Sequence, residues 1–358
     1  MTIIIGSSDG LWEIEEDRRR RFSSKRQKRH LLQGRNITAV AALPRLGAIA
    51  ASADGDFWER SPQSGKWAPL PEMQFPRLQP QQLKPTSLVS AIDGAVWMGT
   101  CPADLWKFSF DNPRDRHWEH ISQFKDFPDA QHWWGAQNAN LPSVVALAAD
   151  PDDRRKVIAA VSVGGVYETS DMGEIWQPQH DGIAQLHQPN LPYSGANRDI
   201  LCLQRDSNRP YIVFAATETA LYRCSTRAKT WRWQECAPPT IAGGVSQHSM
   251  LTATPRLRED LFVIAPAQYR SREYALWRFT YGQDWDRVFS ARLPEIEPDQ
   301  THRVNVLLPA PDNSSEIILV WIAPGGVHFI QNNLSFTWEE LSAHSVNNAI
   351  WISSAHVV

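Results

Sequence analysis

The sequence predicts an all-β fold: seven four-stranded antiparallel sheets, repeated along the chain and closed into a circle. Three observations carry that expectation. A ring-bearing position recurs in an apolar strand at Trp12, Trp58, Trp106, Tyr167, Tyr222, Trp277 and His328. A tryptophan opens the following strand at Trp67, Trp118, Trp176, Trp231, Trp285 and Trp338. Both series advance by roughly 50–55 residues, the period of a repeated sheet unit. The two ends of the chain, finally, are complementary fragments of one such unit.

The units follow in order. Residues 36–71 give Ile37–Val40, Ala48–Ala51, Asp56–Glu59 and Trp67–Leu70; residues 86–122 give Val96–Gly99 and Leu105–Phe108. Residues 143–178 hold Gly165–Thr169 and the strand opened by Trp176. Residues 198–236, 247–290 and 303–341 repeat the pattern around Tyr211–Phe214, Leu261–Ile264 and Ile317–Val320. Alternating apolar positions and enrichment in β-branched and aromatic residues favour strands over helices. The N-terminus supplies a second strand (Ile3–Gly6), a third (Gly10–Ile14) and a fourth (Arg29–Leu32), but no first. The C-terminus ends on a lone first strand, Ala349–Ser354. Residues 1–35 and 347–358 therefore complete a seventh unit together, which leaves no open sheet edge at the seam. The expectation is one domain spanning residues 1–358.

Composition bounds the function. Of 358 residues, 42% are apolar and 21% charged, the balance of a globular chain rather than a disordered one. A formal charge of −3 gives no global field toward nucleic acid or membrane. No apolar run approaches the ~20 residues of a membrane span, and Met1–Gly6 lacks the features of a secretory leader; a cytoplasmic protein is expected. Cys101, Cys202, Cys224 and Cys236 form no C-x-x-C pair. They read mostly as buried free thiols, with a disulfide between Cys224 and Cys236, facing each other across a hairpin, left open.

The most informative stretch is Gly164–Trp176, a strand, a tight turn and the start of another strand. Asp171 can accept hydrogen bonds from turn N–H groups, and Gly173 can adopt φ > 0. Trp176 can then fold back between neighbouring sheets. Thr169-x-Asp171-x-Gly173-x-x-Trp176 resembles the Asp-box of BNR-repeat proteins. Other turns keep fragments, as in Ser61–Trp67 and Ser225–Trp231, so the tryptophan survives where the Asp and Gly do not.

With this motif and repeat, the chain resembles the WD40/YVTN/BNR-like β-propellers. It looks most like the seven-bladed bacterial Asp-box proteins, a group that takes in photosystem II assembly factors. Sialidases carry Asp-boxes as well, but typically with six blades and an early Arg-Ile-Pro element; the nearest segment here is Phe75-Pro76-Arg77-Leu78. The resemblance implies that the loops between blades share one face with the loops between second and third strands, at the mouth of a central channel.

Those loops carry the candidate site. His132, His180, His187, His248 and His302 can converge there as a metal or acid–base cluster, or make ordinary hydrogen bonds. The catalytic candidates are His248, His302, His180 and Asp181. No metal-ligand spacing occurs, so a divalent metal is only an open option. The ligand-binding candidates are His132, Trp133, Trp134, His187, Tyr193, Arg198 and Arg303. Trp133-Trp134 offers an aromatic platform or a buried loop anchor. Arg198 and Arg303 offer a carboxylate or phosphate clamp, or structural ion pairs. Eight of the twelve residues 18–29 are basic (Arg18, Arg19, Arg20, Arg21, Lys25, Arg26, Lys28 and Arg29), which reads as a partner-binding hairpin tip or a solvated one. Without a second basic stripe or interleaved aromatics, nucleic acid is disfavoured. Two functions remain: a non-catalytic propeller that binds or assembles a protein, small-molecule or glycan ligand, and a hydrolase or lyase with a histidine-rich site at the mouth.

Overall fold

The computed structural model describes residues 2–7, 9–15, 27–43, 47–73, 83–110, 117–134, 141–185, 198–206, 209–217, 220–236, 250–252, 260–266, 273–280, 285–292, 304–309, 317–323, 326–331, 337–340 and 352–357. Its regular structure is β-strand and short 3-10 turns, with no α-helix among the described residues.

The chain opens with β1 (Thr2–Ser7), β2 (Gly10–Glu15) and β3 (Gln27–Leu31). A sheet follows from β4 (Ile37–Leu43), β5 (Gly47–Ser52), β6 (Phe57–Arg60) and β7 (Trp67–Pro69). The next comprises β8 (Lys84–Ser90), β9 (Val96–Cys101), β10 (Leu105–Phe108) and β11 (Trp118–His120). The third is β12 (Val144–Ala149), β13 (Val157–Val161), β14 (Gly165–Thr169) and β15 (Trp176–Pro178). Then come β16 (Ile200–Arg205), β17 (Ile212–Thr217), β18 (Leu221–Ser225) and β19 (Gln234–Glu235). Two further sheets are β20 (Met250–Thr252) to β23 (Trp285–Arg292), through β21 (Asp260–Pro266) and β22 (Glu273–Thr280), and β24 (Val304–Pro309) to β27 (Thr337–Glu340), through β25 (Ile317–Ala323) and β26 (Gly326–Gln331). The last strand, β28 (Ile352–Val357), completes the first sheet in the order β28-β1-β2-β3. Each recurring ring, from Trp12 in β2 to His328 in β26, lies on the third strand of its sheet.

The strands group into two compact units. One holds Met1–Arg35, Gln204–Arg223 and Glu235–Val358; the other holds Asn36–Leu203 and Cys224–Gln234. In the first unit, β28 runs antiparallel to β1, with Ile3 opposite Val357, Ile5 opposite Ala355 and Gly6 opposite Ser354. Tail and head thus share a sheet, but later in the chain than the sequence suggests. The strand begins at Ile352 instead of Ala349, and Ala349–Trp351 lie outside the described residues. Ladder pairing fixes this register, and a pattern of short apolar residues specifies it weakly.

In the second unit, neighbouring sheets pack face to face. Small residues on the inner strands let them approach: Ser90 Oγ donates to Ala42 O at 2.7 Å, and Ser87 Oγ to Val144 O at 2.9 Å. Gly99 is required here, since a Cβ would lie 2.5 Å from both Ser87 Oγ and the Val144 side chain. One core joins Ile49, Phe57, Val96, Met98, Phe108 and Trp118. A second joins Trp97, Ile121, Phe124, Trp133, Tyr167 and Trp176.

The Thr169–Trp176 turn shows how a blade-edge tryptophan is set. Asp171 Oδ1 accepts from Thr169 Oγ1 at 2.8 Å and from Ile175 N at 2.9 Å; Thr169 Oγ1 accepts from Gly173 N at 2.9 Å. Met172 and Gly173 have φ of 67° and 104°, so the turn needs two left-handed residues in succession. The Trp176 side chain then leaves its own sheet and packs edge-on against Trp97 of the preceding one and Phe124 of the loop that follows that sheet.

Several expectations change. The fourth strand of the β16–β19 sheet does not open at Trp231: β19 covers only Gln234–Glu235, while Trp231 and Trp233 are buried in the segment before it. Burial of the indoles, not strand geometry, decides their place. Lys28 and Arg29 are not at a hairpin tip but within β3, where Arg29 Nη2 pairs with the buried Glu13 carboxylate at 2.9 Å. Arg18, Arg19, Arg20, Arg21, Lys25 and Arg26 lie outside the described residues. None of the four cysteines is in a disulfide, Cys224 and Cys236 included; Cys224 alone is buried and the other three are half-buried. Burial raises the Cys224 and Cys236 thiols to about 11 and about 12, so neither carries thiolate character at neutral pH.

Candidate functional site

Three connections meet at one end of the β12–β15 sheet. They are the β13–β14 turn at Ser162–Gly164, the loop that leaves β11, and the segment that leads from β15 into β16. The loop after β11 folds into two 3-10 turns, Ser122–Lys125 and Pro128–His132. Phe124, in the first of these turns, is buried and packs on Trp133 and Tyr167. Trp133 is the anchor: its indole Nε1 donates to Tyr167 Oη at 2.8 Å, and Tyr167 Oη donates to Gly164 O at 2.9 Å. Trp134 then pairs with the β13–β14 turn. Its N donates to Val163 O at 3.1 Å, Val163 N donates to Trp134 O at 3.2 Å, and Ser162 Oγ donates to Trp134 O at 3.0 Å. The adjacent tryptophans therefore divide the two roles: Trp133 is buried, while Trp134 remains 38% exposed.

The segment after β15 is fixed to the same end. Gln179 N donates to Val166 O at 2.8 Å, and Ile183 N to His180 O at 3.1 Å. Trp233 closes over it, donating from its backbone N to Asp181 O at 2.9 Å and from Nε1 to Gln179 O at 2.7 Å. Before β16, Asp199 pairs with Val163, and Ile200 N donates to Ser162 O at 2.7 Å. Arg198 is thereby drawn inward, and its Nε donates to Ile183 O at 3.1 Å.

Two side chains stand out electrically. His180 is 9% exposed and meets Tyr167 edge-on, with ring centroids 5.8 Å apart. It fits only because Gly165 lacks a side chain; a Cβ there would lie 2.7 Å from His180 Nδ1. Burial, and then the Arg198 charge, pull His180 down to about 4, so at neutral pH it is the uncharged imidazole. Arg198 is 8% exposed, and burial lowers its proton affinity against the opposing pull of Asp181, Tyr167 and Asp129. Burial also holds the Tyr167 phenol above its ordinary value, so it acts as a neutral donor and acceptor. Nδ1 of His180 and Nη1 of Arg198 are both buried without a hydrogen-bond partner.

Of the predicted residues, the structure brings Trp133, Trp134, His180, Asp181 and Arg198 to this end of the sheet. His132 closes the second 3-10 turn and is half-buried. Asp181 is exposed. His187, Tyr193, His248, His302 and Arg303 lie outside the described residues. No cluster of three metal-ligating side chains occurs among the described residues. Tyr167 and Gly165 were legible only as a repeat aromatic and a turn glycine; no local motif marks Tyr167 as the hub of the anchor. A second polar cluster also escaped the sequence reading. The buried Asp104 carboxylate accepts from Leu105 N at 3.0 Å and holds Lys125 Nζ at 2.6 Å and His120 Nε2 at 2.9 Å. His120 stacks on Trp106 across the ladder, as His30 stacks on Trp12. That recurrence marks it as a cross-strand packing pair.

Repeated four-stranded antiparallel sheets define the fold class: a β-propeller. Among solved structures the chain is similar to an ancestral GH74 enzyme, with a TM-score of 0.58 and 13% identity over 93% of this chain and 49% of that one. It is similar to YCF48 bound to D1 peptide, with a TM-score of 0.52 and 14% identity over 85% of this chain and 82% of that one. It is also similar to the Cps50 (Swd1) β-propeller domain of Myceliophteria thermophila, with a TM-score of 0.51 and 11% identity over 85% of this chain and 88% of that one. The chain spans about half the length of the GH74 enzyme. At such identities the likeness is one of fold alone. No protein-family model and no curated protein matches the chain. No described helix is long and apolar enough to cross a membrane.

Proposed function

We propose that the chain is a non-catalytic, seven-bladed propeller of the Asp-box type, a single domain closed by the sheet that head and tail share. In this reading it binds a peptide or protein partner at the loop end of its blades. The observation that carries the reading is the division of labour between Trp133 and Trp134. Burial of Trp133 and the paired backbone of Trp134 and Val163 fix the loop, and the second indole is left 38% exposed on a rigid base. A preorganised exposed aromatic is what recognition surfaces favour, because little side-chain entropy is lost on binding. The likeness to YCF48 bound to D1 peptide over most of both chains supports it as a likeness of fold. The hydrolase or lyase reading is not better supported: the likeness to a GH74 enzyme is likewise one of fold, and His180, alone of its catalytic histidines among the described residues, is buried against Gly165 and is a weak base.

Selection of a displayed random-peptide library on the purified chain tests this. Retained peptides should bind Trp134→Ala at least about tenfold more weakly, a loss in the range of a truncated interface aromatic. Failure to retain any peptide, equal binding by the variant, or hydrolysis of a glycan panel would overturn it.

A further inference from the structure

Arg198 is a buried cation that forms no ion pair among the described residues. Its Nε is committed to Ile183 O, and Nη1 is buried with no partner. Among the described residues no carboxylate lies within ion-pair distance of it; Asp181 and Asp129 act on it only through space. Removing a guanidinium from water is costly unless a hydrogen-bonded anion compensates it. An unpaired buried donor adds a further cost. The position is not an accident of a loose loop. Val163 and Ser162 tie down the backbone at Asp199 and Ile200, and Trp233 closes the segment that carries Ile183. The fold therefore holds the fork rigidly in a place where it has no partner among the described residues.

We propose that Arg198, with His180 beside it, forms a subsite for a single carboxylate, held on the outer fork of the guanidinium. Nε points to Ile183, so the Nη1–Nη2 edge is the part free to engage two carboxylate oxygens, the arrangement that gives arginine its strongest pairs. The charge balance selects a monoanion. His180 is neutral, leaving one positive charge, and Asp129 and Asp181 already oppose a second negative one. His180 Nδ1, also buried and unpartnered, offers a neutral nitrogen at the same end of the sheet. The ligand's remainder would extend toward exposed Trp134. This last step rests on the binding function proposed above, whereas the carboxylate subsite itself does not.

The test uses the full chain at pH 7 and constant ionic strength, with acetate and formate as probes and chloride as control. Acetate between about 1 and 100 mM should raise Tm by at least ~2 °C over chloride, because a ligand that binds only the folded state stabilises it by mass action. The His180 imidazole, followed by NMR, should titrate at higher pH when acetate is present, because the anion offsets one of the charges that suppress its proton. Arg198→Lys and Arg198→Gln should abolish both effects. Should neither variant fold, a saturable ¹³C-acetate signal on the native chain with a cross-peak to His180 carries the same information. Acetate that acts no differently from chloride, or equally on the variants, would overturn the subsite; inorganic phosphate that protects better than acetate would overturn the monoanion assignment. Peptides with free or amidated C-termini then separate the sources: loss on amidation identifies a chain terminus, and indifference a side-chain or free acid. Acetate protection without any selected peptide would sink the partner reading and leave the subsite standing. The reverse pattern would sink the subsite alone.

Discussion

Removal of the Trp176 indole should cost far more than removal of the turn that presents it. Trp176 is buried, with its ring 6.2 Å from that of Trp97 in the preceding sheet and 5.1 Å from that of Phe124 in the loop after it. Truncating such a side chain to alanine costs about 3–5 kcal/mol, the transfer term plus a cavity that rigid neighbours cannot fill. Asp171 is only half-buried and contributes two hydrogen bonds, from Thr169 Oγ1 and Ile175 N. Ile175 is exposed, so water can replace the carboxylate there, and Thr169 Oγ1 still braces Gly173 N. Asp171→Ala should therefore cost about 1–2 kcal/mol. Urea unfolding of the two variants, followed by near-ultraviolet circular dichroism, gives the comparison through the shift in midpoint at unchanged slope. A loss for Asp171→Ala equal to or larger than that for Trp176→Ala would refute the view that the tryptophan pins the sheets and the turn merely delivers it.

Three further outcomes follow from the same end of the sheet. Tyr167→Phe leaves the buried Trp133 Nε1 without its acceptor, so urea stability should fall by about 1–3 kcal/mol although the packing volume barely changes. Gly165→Ala forces a Cβ to within 2.7 Å of His180 Nδ1 at a φ of +95°; it should cost about 1–3 kcal/mol and, by expelling the imidazole toward water, move its NMR titration upward. His180 is a weaker base folded than unfolded, so between pH 6.5 and about 4 the unfolded chain takes up a proton that the folded chain refuses. Stability should fall as pH drops through that window, by about 3 kcal/mol in all, with no contribution above it, and His180→Gln should flatten that part of a stability–pH curve.

The periodic features were legible because they follow from local pattern. The ring positions fall on third strands, and Trp67, Trp118, Trp176 and Trp285 each begin a fourth. Where the pattern thinned, the reading slipped. Trp231 and Trp233 are packing residues outside any strand, and a tryptophan looks the same in sequence whether or not a ladder follows it. Arg29 read as part of a basic tip because its partner, Glu13, lies on the neighbouring strand, and only the register brings the two together. At the site, the sequence brought Trp133, Trp134, His180 and Arg198 to one group of loops. It left open which indole is anchor and which is platform. The decision rests on one hydrogen bond from Trp133 to Tyr167, a residue 34 positions away.

Unsatisfied groups elsewhere in the described chain explain why Arg198, rather than any other buried donor, marks the site. The packing indoles of Trp97 and Trp176 also bury an Nε1 without a partner, but these groups are neutral, and the apolar area they cover outweighs one lost hydrogen bond. The other arginines buried as deeply, Arg60 and Arg205, are each engaged by further groups, and Arg205 Nη1 donates to Pro210 O at 2.7 Å. Arg198 alone among the described residues combines a full charge, deep burial and an unengaged fork. A structural role would be served better by an apolar side chain of similar volume, since replacing buried charge with packed carbon is commonly neutral or stabilising. The cost of holding the guanidinium there makes sense if an anion beyond the described residues completes it.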